Sequence, residues 1–300
     1  MANDFKRLLL TELESLCGSF KRLPGSQSLI EFVTGERVYL RYSKMHARGV
    51  TFFGLRLVDL NSLDGHPSFI CFFNNKTAPI FIPYEDFEAV IRQSPLAIDG
   101  QIKAQIIYSE DSCNLYLPRV GYFNVDAYSG VNYLAFLIRM DKQKFTTEFS
   151  HSQAQTLIGS IGNLKGYTVY IPPNNIELLD WALTDRYQII SSLPGYIEER
   201  TRFASEIDVI WIEQKRNFIA AAFEVEYSTP IYSGLLRFND VLLTCPGVSR
   251  FFVVSNETRR DLFSRQIQRP TFERSGLNEL TSFLDYANVF NWHNRLFQKQ

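Results

Sequence analysis

Two apolar runs separated by a short polar break constrain the fold more than any other stretch of the chain. The runs span residues 205–212 and 218–226, and residues 213–217 lie between them. Both are rich in Ile, Val, Phe and Trp, so they predict adjacent antiparallel strands of a buried sheet joined by a short loop. Acidic residues lie inside both runs, and buried carboxylates need a compensating partner.

The pairing of these strands predicts where the acids meet. A turn centred on Arg216 places Asp208 opposite Glu224. The same turn places Glu206 opposite Glu226. Because side chains alternate along a strand with a period of two, all four acids then share one face. Like charges directly opposite each other, with Cβ atoms roughly 4.5–5.5 Å apart, destabilise a strand pair. A hard divalent cation, which prefers oxygen ligands, would relieve the repulsion.

Two alternatives to a cation site remain open. A slip of one residue in the register would move the acids of one strand to the other face. A solvated strand end would also carry unrelated acids without binding an ion.

The composition limits the class of protein. A chain of 300 residues with 45% hydrophobic content predicts two domains, which we place at residues 1–145 and 146–300. The net charge of −1 means that a polyanionic partner must be met by local basic patches. The four cysteines lack zinc-site spacing, which favours reduced thiols in a cytoplasmic protein. No apolar run approaches the ~18 residues of a membrane span, so we expect no membrane association.

The first part of the chain is expected to be rich in β-structure. After a helix with leucines at helical spacing, strands are predicted at residues 29–33, 38–42, 50–58, 69–73, 79–84, 102–108 and 115–117. This spacing indicates a mostly antiparallel sheet or barrel. Residues 131–140 are apolar and ambiguous, and residues 141–144 resemble a linker.

The second part alternates between helical and strand patterns. Helices are predicted at residues 152–164, 177–182, 231–243 and 277–286, and strands at 167–171 and 248–254 in addition to the hairpin. This order predicts an α/β sandwich around a mixed sheet.

Residues 37–56 combine basic and aromatic side chains without an acid among them. The basic residues are Arg37, Arg41, Lys44, Arg48 and Arg56, and Tyr39, Tyr42, Phe52 and Phe53 lie between them. Such a surface suits phosphate contact and base recognition, so the first four basic residues are candidate DNA contacts. A sheet whose aromatics face its core, with the basic residues merely solvated, explains the pattern equally well.

The acidic hairpin also carries a family resemblance. Asp208 at the start of one strand, with Phe-Glu-Val-Glu at residues 223–226 on the next, resembles the PD-(D/E)xK nuclease superfamily, the fold of type II restriction endonucleases. The stretch Phe-Glu-Val-Glu-Tyr-Ser-Thr-Pro-Ile-Tyr-Ser-Gly-Leu-Leu-Arg, residues 223–237, is similar to a signature of restriction-enzyme-like proteins. The resemblance covers roughly residues 149–254 and leaves the first part of the chain unassigned.

The resemblance implies roles for the acids. Asp208 and Glu224 would be Mg²⁺ ligands, with the carbonyl of Val225 as a third contact. Glu226 stands where the family usually has lysine, so it is implied as a catalytic residue without a fixed role. It would deprotonate water, bind a second ion or orient the nucleophile.

Further residues match positions outside the hairpin. Gln155 matches a polar helix residue that the family contributes to the site, and His151 is a second match on the same helix. For both, a structural role is an equally good explanation. Arg237 and Lys215 are candidate phosphate contacts, as are the arginines of residues 250–274, which could equally form a salt-bridged helix face.

Together, the resemblance implies a restriction-endonuclease-like α/β sandwich preceded by a β-rich DNA-recognition domain. The implied activity is Mg²⁺-dependent hydrolysis of double-stranded DNA at a specific site, with or without a requirement for modified bases. One active site per chain favours a homodimer on a palindromic target. Two rivals remain: a catalytically inactive DNA-binding or interaction protein, favoured by the missing lysine, and a metal-dependent hydrolase of nucleotides or RNA.

Overall fold

The computed structural model describes residues 2–110, 112–142, 149–213, 218–227, 230–245, 247–248 and 250–297. The chain divides into two compact units, residues 1–144 and 145–300. None of the helices in the described ranges combines the length and the apolar character needed to cross a membrane.

The first unit contains two sheets and several helices. Its strands are β1 (Phe20–Arg22), β2 (Leu29–Phe32), β3 (Arg37–Tyr42), β4 (Val50–Arg56), β5 (Ser68–Phe73), β6 (Ile80–Pro83), β7 (Gln101–Tyr108), β8 (Cys113–Leu117) and β9 (Gly121–Asn124). Its helices are α1 (Ala2–Cys17), α2 (Leu57–Asn61), α3 (Tyr84–Gln93) and α4 (Val131–Lys142), with a short 3-10 helix at Asp126–Tyr128.

The first unit is layered. One sheet has the order β1-β2-β3-β5-β6 and the other has the order β4-β7-β8-β9. Tyr39 of the first sheet shares a buried cluster with Phe53 and Ile106 of the second, so the two sheets pack face to face. The other face of the five-stranded sheet packs against α1 and α4 through residues such as Leu13 and Leu134. The second face of the four-stranded sheet is left to solvent along much of its length.

The predicted antiparallel character of this unit is confirmed, with one exception. Strands β3 and β5 are parallel, whereas the other strand pairs of the two sheets are antiparallel. The predicted strand at residues 50–58 ends at Arg56, where α2 follows directly. The ambiguous residues 131–140 form α4, because Val131, Leu134 and Ile138 recur at helical spacing and are buried together. This helix continues through the first half of the predicted linker.

The second unit alternates helices with the strands of one sheet. Its strands are β10 (Thr168–Tyr170), β11 (Ile189–Ile190), β12 (Val209–Glu213), β13 (Phe218–Val225), β14 (Phe251–Ser255) and β15 (Thr281–Asp285). Its helices are α5 (His151–Leu164), α6 (Pro173–Ile176), α7 (Gly195–Glu198), α8 (Ile231–Thr244), α9 (Arg260–Ile267), α10 (Pro270–Ser275), α11 (Leu277–Leu280) and α12 (Tyr286–Phe297). Short 3-10 helices span Arg202–Glu206 and Glu257–Arg259.

The predicted α/β sandwich around a mixed sheet is confirmed. The sheet order is β11-β10-β12-β13-β14-β15, with antiparallel pairs around β12 and parallel pairs at both ends. Helices α5 and α12 bury their apolar side chains against one face. Helices α8, α9, α10 and α11 pack against the other. The sheet is therefore covered on both faces, which accounts for its continuous apolar strands.

The predicted register of the acidic hairpin is confirmed at the open end of the hairpin, where β12 begins and β13 ends. Val209, Ile210 and Trp211 pair with Phe223, Ala222 and Ala221, which is the register that brings Asp208 and Glu224 together. A β-bulge between Trp211 and Ile212 shifts the pairing nearer the turn. The predicted turn at Arg216 and the candidate phosphate contact Lys215 lie outside the described residues.

The predicted position of Glu206 is wrong. Strand β12 begins only at Val209, and Glu206 ends a 3-10 helix with its side chain exposed. The pairing rule therefore does not extend to Glu206, because no strand ladder reaches it.

Two predicted helices of this unit differ from the structure. Residues 177–182 follow the short helix α6 and are not helical. The helix predicted at residues 277–286 is confirmed only over α11, and β15 then follows and pairs in parallel with β14. Phe283 and Leu284 are buried on opposite faces of the sheet, so this strand lacks the alternation that would have distinguished it.

Candidate active site

Three acids of the hairpin region, Asp208, Glu224 and Glu226, line one cleft. Strand β12 begins directly after Asp208, and β13 ends at Val225. The start of β12 and the end of β13 therefore lie at the same edge of the sheet. The cleft has a volume of about 750 Å³. Its lining residues come from the start of α5, the hairpin and α8, and are Phe149, Ser150, His151, Asp208, Glu224, Val225, Glu226, Tyr227, Ser233 and Arg237.

Asp208 is held by donors from two elements. Its Oδ2 accepts a hydrogen bond of 2.7 Å from the backbone N–H of Val225 on the neighbouring strand. Its Oδ1 accepts from Nε2 of Gln155 at 3.2 Å and lies 3.1 Å from Nε2 of His151. Gln155 Nε2 also lies 3.3 Å from the backbone carbonyl oxygen of Asp208. The carboxylate is therefore fixed in position, largely buried and directed into the cleft.

The start of α5 brings Gln155 and His151 to Asp208. Ser150 caps this helix by accepting a hydrogen bond from the backbone N–H of Gln153, and the Gln153 side chain accepts from the Ser150 N–H in return. This capping box fixes the first turn of the helix. His151 and Gln155 are four residues apart, so they project from the same helix face. Gln155 and His151, the two family matches on this helix, therefore both contact the candidate metal ligand Asp208.

Glu224 is fully buried and paired with Arg237 of α8. Nε of Arg237 donates to Oε1 of Glu224 at 2.7 Å, and Nη2 donates to Oε2 at 2.5 Å. Burial raises the pKa of Glu224 well above its usual range, Arg237 opposes the shift, and the nearby Asp208 and Glu226 add to it. The pKa of Arg237 is raised, chiefly by its hydrogen bonds to Glu224.

The predicted phosphate contact of Arg237 stays a prediction. The structure adds a contact that was not predicted, because the guanidinium binds both oxygens of a buried carboxylate. The side chain remains about one quarter exposed at the cleft. The sequence did not indicate this because the approach of α8 to β13 depends on tertiary packing.

Glu226 follows β13 and is almost fully buried beside the other two acids. Its backbone N–H donates to the carbonyl oxygen of Val254, and its own carbonyl accepts from Ser255 Oγ and from Arg259 Nη1. Arg259 donates to the carbonyl of Tyr227 as well, at 3.1 Å. For Arg259, one of the arginines for which DNA contact and a salt-bridged helix face are both open, the structure shows hydrogen bonds that fix the chain carrying Glu226.

A glycine permits α8 to approach the two glutamates. A Cβ atom on Gly234 would lie 2.7 Å from Oε1 of Glu226 and 3.2 Å from Cβ and Cγ of Glu224. The helix and the acids are therefore packed so closely that only glycine fits. Gly234 belongs to the signature stretch at residues 223–237, but the resemblance implies no role for it.

The site carries an excess of negative charge that a cation would offset. Asp208, Glu224 and Glu226 approach one another, and Arg237 provides one fixed positive charge. The hydrogen bond to Asp208 raises the pKa of His151, and the charges of Glu224 and Glu226 act in the same direction, whereas burial opposes the shift. Protonation of His151 thus adds a second positive charge as the pH falls.

The donor set fits Mg²⁺ in chemistry. Mg²⁺ prefers oxygen ligands and is usually held by one or two carboxylates together with substrate phosphates. Asp208 and Glu224 offer two carboxylates on adjacent strand ends, and the Val225 carbonyl lies between Glu224 and Glu226 in the chain. Within the described ranges, no group of three or more His, Cys, Asp or Glu side chains is arranged to hold an ion by itself. Glu224 would have to exchange its Arg237 partner for the metal.

Tyr286, at the start of α12, is buried near the acids but does not line the cleft. Burial raises its pKa to about 12, the charge of Arg259 opposes the shift, and the charges of Tyr227, Glu226 and Asp208 add to it. Its position at the start of α12 was hidden because β15 was predicted as helix. No motif in the sequence connects Tyr286 with the acids.

The candidate DNA contacts of the first unit divide into buried and exposed residues. Arg37 is only 5% exposed, and its Nε donates to Glu31 at 2.7 Å. This prediction is corrected: the charge of Arg37 is used inside the protein, where DNA does not reach. Arg41 is half-buried over the ring of Tyr39. Lys44 and Arg48 are exposed in the connection between β3 and β4.

The aromatic residues of the same stretch are also divided. Tyr39 and Phe53 belong to the core between the sheets, and Tyr42 packs against Phe73. Phe52 is 52% exposed. The two explanations of the pattern therefore each account for part of it. Most of the aromatic residues serve the core, whereas Phe52 is exposed together with Lys44, Arg48 and Arg56, the last in an ion pair with Asp59.

The comparisons with known proteins identify a related family. A family model described as the type II restriction enzyme NmeDI C-terminal domain matches residues 136–299. The match includes the cleft and the elements that carry it. Neither the curated proteins nor the solved structures compared with the chain contain a match.

Proposed function

Because the chain belongs to the family of the type II restriction enzyme NmeDI C-terminal domain, we propose that it is a Mg²⁺-dependent endonuclease that hydrolyses double-stranded DNA at a specific site. The observation that carries the proposal is the convergence of Asp208, Glu224 and Glu226 on one cleft. We assign this cleft to the PD-(D/E)xK type. The first unit then contributes recognition of the target.

In this proposal, Asp208, Glu224 and the carbonyl of Val225 hold the metal. The ion would supply charge stabilisation for the phosphoryl oxygens and acidify a water molecule for use as the nucleophile. Gln155 and the Val225 N–H keep the Asp208 carboxylate oriented toward the cleft. Such orientation is a large part of a metal site's affinity.

The motif does not fix the base or the phosphate-binding cation, and we assign these roles to Glu226 and Arg237. Glu226 is placed to accept a proton from the attacking water or to orient it, because it lies beside the metal ligands without a lysine in its place. Arg237 provides the cation of the cleft. If Glu224 held the metal, the planar guanidinium of Arg237 would be available at the cleft to bind two phosphate oxygens at once.

Cleavage of both strands by one active site per chain favours two chains, so we propose a symmetric dimer on a palindromic target. Size-exclusion chromatography with light scattering, with and without DNA, tests this directly. A monomer in both conditions contradicts it.

The cleavage proposal is tested on supercoiled plasmids prepared with and without base methylation, incubated with Mg²⁺. The wild type is expected to give discrete fragments from at least one preparation. Asp208→Asn and Glu224→Gln are expected to reduce the cleavage rate at least about a hundredfold. Each substitution removes the charge of a metal ligand while keeping nearly the same side-chain shape. Circular dichroism confirms that both variants fold.

Failure of the wild type on both preparations, on DNA with many sequences, refutes the endonuclease. The rival in that case is a nuclease-fold protein that binds DNA without cutting, which the Arg237–Glu224 pair favours because it engages a metal ligand. Binding of a labelled duplex without cleavage supports this rival. Release of products from nucleotides or RNA alone supports a different metal-dependent hydrolase.

A further inference from the structure

The outer face of the four-stranded sheet carries a row of exposed ring and amide side chains. The register pairs Phe52 with Gln105, Gln105 with Tyr116 and Tyr116 with Tyr122. These four residues therefore lie side by side across the sheet on one face. Phe52 is 52% and Tyr122 is 67% exposed, and the rings of Tyr116 and Tyr122 lie 4.6 Å apart.

The opposite face of the same strands forms the core, so the row is not part of the packing between sheets. Phe53, Ile106 and Leu115 are the buried neighbours of row residues in their strands. Large aromatic side chains that form one contiguous exposed patch mark interaction sites more often than single exposed aromatic residues do.

The surroundings of the row are mixed. The neighbouring row consists of Val50, Ile107, Asn114 and Asn124, and on the other side Lys103 pairs with Gly54. At the edges of the face, Lys103 forms an ion pair with Asp99 and Asn124 donates to Asp126. Within these four strands, all of them described, the register places no acidic residue on this face. Beside Phe52, the connection that carries Lys44 and Arg48 is fixed by a hydrogen bond from the Phe52 N–H to Ser43 Oγ and by an edge contact of His46 with the Phe52 ring.

The shape of the face selects between forms of nucleic acid. The major groove of a duplex admits a helix or a two-stranded ribbon, whereas this face is four strands wide. From Phe52 to Tyr122 it spans three strand spacings, about 14 Å. Aromatic rings at such a surface stack on bases that are already unstacked, and a glutamine amide can both donate to and accept from a base edge.

We propose that the outer face of the β4-β7-β8-β9 sheet binds unstacked nucleobases of single-stranded DNA, with Phe52, Tyr116 and Tyr122 as stacking platforms. Gln105 contacts base edges between them, and Lys44 and Arg48 hold the backbone at one end. This activity belongs to the first unit and does not depend on the cleavage chemistry of the second.

The test measures the affinity of the full chain, without Mg²⁺, for a fluorescein-labelled oligonucleotide of mixed sequence and for the matching duplex. Phe52→Ala and Tyr122→Ala are each expected to weaken single-strand binding roughly five- to a hundredfold, the loss for one stacked base. Their salt dependence is expected to stay unchanged, since no phosphate contact is removed. Tyr122→Phe keeps the ring and should retain affinity.

Val58→Ala serves as the matched control, because Val58 is an exposed apolar residue of the same unit outside this face. Thermal unfolding confirms that all variants fold. Absence of single-strand binding by the wild type, or equal affinity of the wild type and both alanine variants, overturns the proposal. Binding of the duplex alone overturns it as well. Plasmid cleavage by the wild type, assayed separately, bears only on the proposed endonuclease.

Discussion

Arg237 and Glu224 form a two-point ion pair at the candidate metal site, with Nε 2.7 Å from Oε1 and Nη2 2.5 Å from Oε2. Glu224 is fully buried, whereas Arg237 reaches the cleft. The guanidinium therefore acts as the resident counter-ion of the carboxylate that the proposed reaction needs. Any other cation at Glu224 has to compete with it.

Removal of Arg237 is expected to destabilise the protein. Arg237→Gln leaves a buried carboxylate without its ion pair, and we expect a loss of about 2–4 kcal/mol in the free energy of unfolding, less than for a fully buried pair because Arg237 is partly exposed. Urea unfolding measures the loss. The double variant Glu224→Gln with Arg237→Gln should recover part of it, since no buried charge remains.

The matched control for that series is Arg265→Gln, which removes an exposed arginine on α9. Its effect should stay within about 0.5 kcal/mol. Equal losses for Arg237→Gln and Arg265→Gln contradict the assigned strength of the Glu224 pair.

The same pair predicts a change in metal affinity. In the absence of DNA, Arg237→Gln is expected to bind Ca²⁺, a non-hydrolysing stand-in for Mg²⁺, about tenfold more tightly than the wild type, because Arg237 no longer competes for Glu224. Isothermal titration calorimetry reports this without any cleavage assay. Asp208→Asn is the negative control and should bind weakly. An affinity that falls in Arg237→Gln argues against the exchange.

The close approach of α8 predicts a variant that separates activity from stability. Gly234→Ala would place a Cβ 2.7 Å from Oε1 of Glu226, so this carboxylate has to move. We expect the plasmid cleavage rate to fall at least about tenfold, because small displacements in an active site are costly. The free energy of unfolding should change by only about 1 kcal/mol, since alanine favours the helix by a similar amount.

Gly195→Ala is the control for this substitution. The nearest atom to its new Cβ would be Glu199 Oε1 at 3.8 Å, an ordinary contact. Both the cleavage rate and the stability should stay close to the wild type. A Gly234→Ala variant that cleaves at the wild-type rate would show that the helix can shift without disturbing the acids.

The hydrogen bond between His151 and Asp208 predicts a pH-dependent stability. The folded-state pKa of His151 is raised above its ordinary value of 6.5. The stabilisation from protonated His151 is therefore fully present below about pH 6.5 and is lost as the pH rises through the folded pKa. The difference in unfolding free energy between the wild type and His151→Gln should be larger at pH 5.5 than at pH 8.5, by about 1 kcal/mol or less for this partly exposed group.

An Asp208→Asn background tests whether that effect depends on the pair, because it removes the carboxylate that His151 contacts. The difference made by His151→Gln should change less between the two pH values in this background than in the wild type. A His151→Gln difference that grows with pH would have the wrong sign and would exclude the assigned ion pair.

The hairpin illustrates what the sequence can predict about this site. Its register follows from alternation and from the length of the break, so the meeting of Asp208 with the end of β13 was predictable from local rules. The contacts of Gln155 and His151 were predicted only as family matches. Their common direction follows from the four-residue spacing on α5 once the helix is known to face Asp208.

The buried arginines illustrate what the sequence cannot predict. Arg37 lies directly opposite Glu31 in the strand pair β2–β3, and the pair is covered by the rest of the unit. Arg237 reaches Glu224 only because Gly234 lets α8 pack closely against β13. In both cases the composition indicated a basic surface, whereas the tertiary structure places the charge beside a buried acid, and no local pattern distinguishes the two outcomes.

The division of the basic stretch into buried and exposed residues yields the last prediction. The double variant Lys44→Gln with Arg48→Gln is expected to weaken duplex binding and to make the slope of log affinity against log salt shallower by about 1–2, because up to two phosphate contacts are lost. Arg37→Gln should instead lower the free energy of unfolding by about 1–3 kcal/mol, since it removes the buried partner of Glu31 and leaves only the exposed Lys21 paired with it. Fluorescence anisotropy at several salt concentrations and urea unfolding measure the two effects. The assignment would be wrong if Arg37→Gln made the slope of log affinity against log salt shallower while Lys44→Gln/Arg48→Gln left it unchanged. Arg37 would then contact DNA, and Lys44 and Arg48 would not.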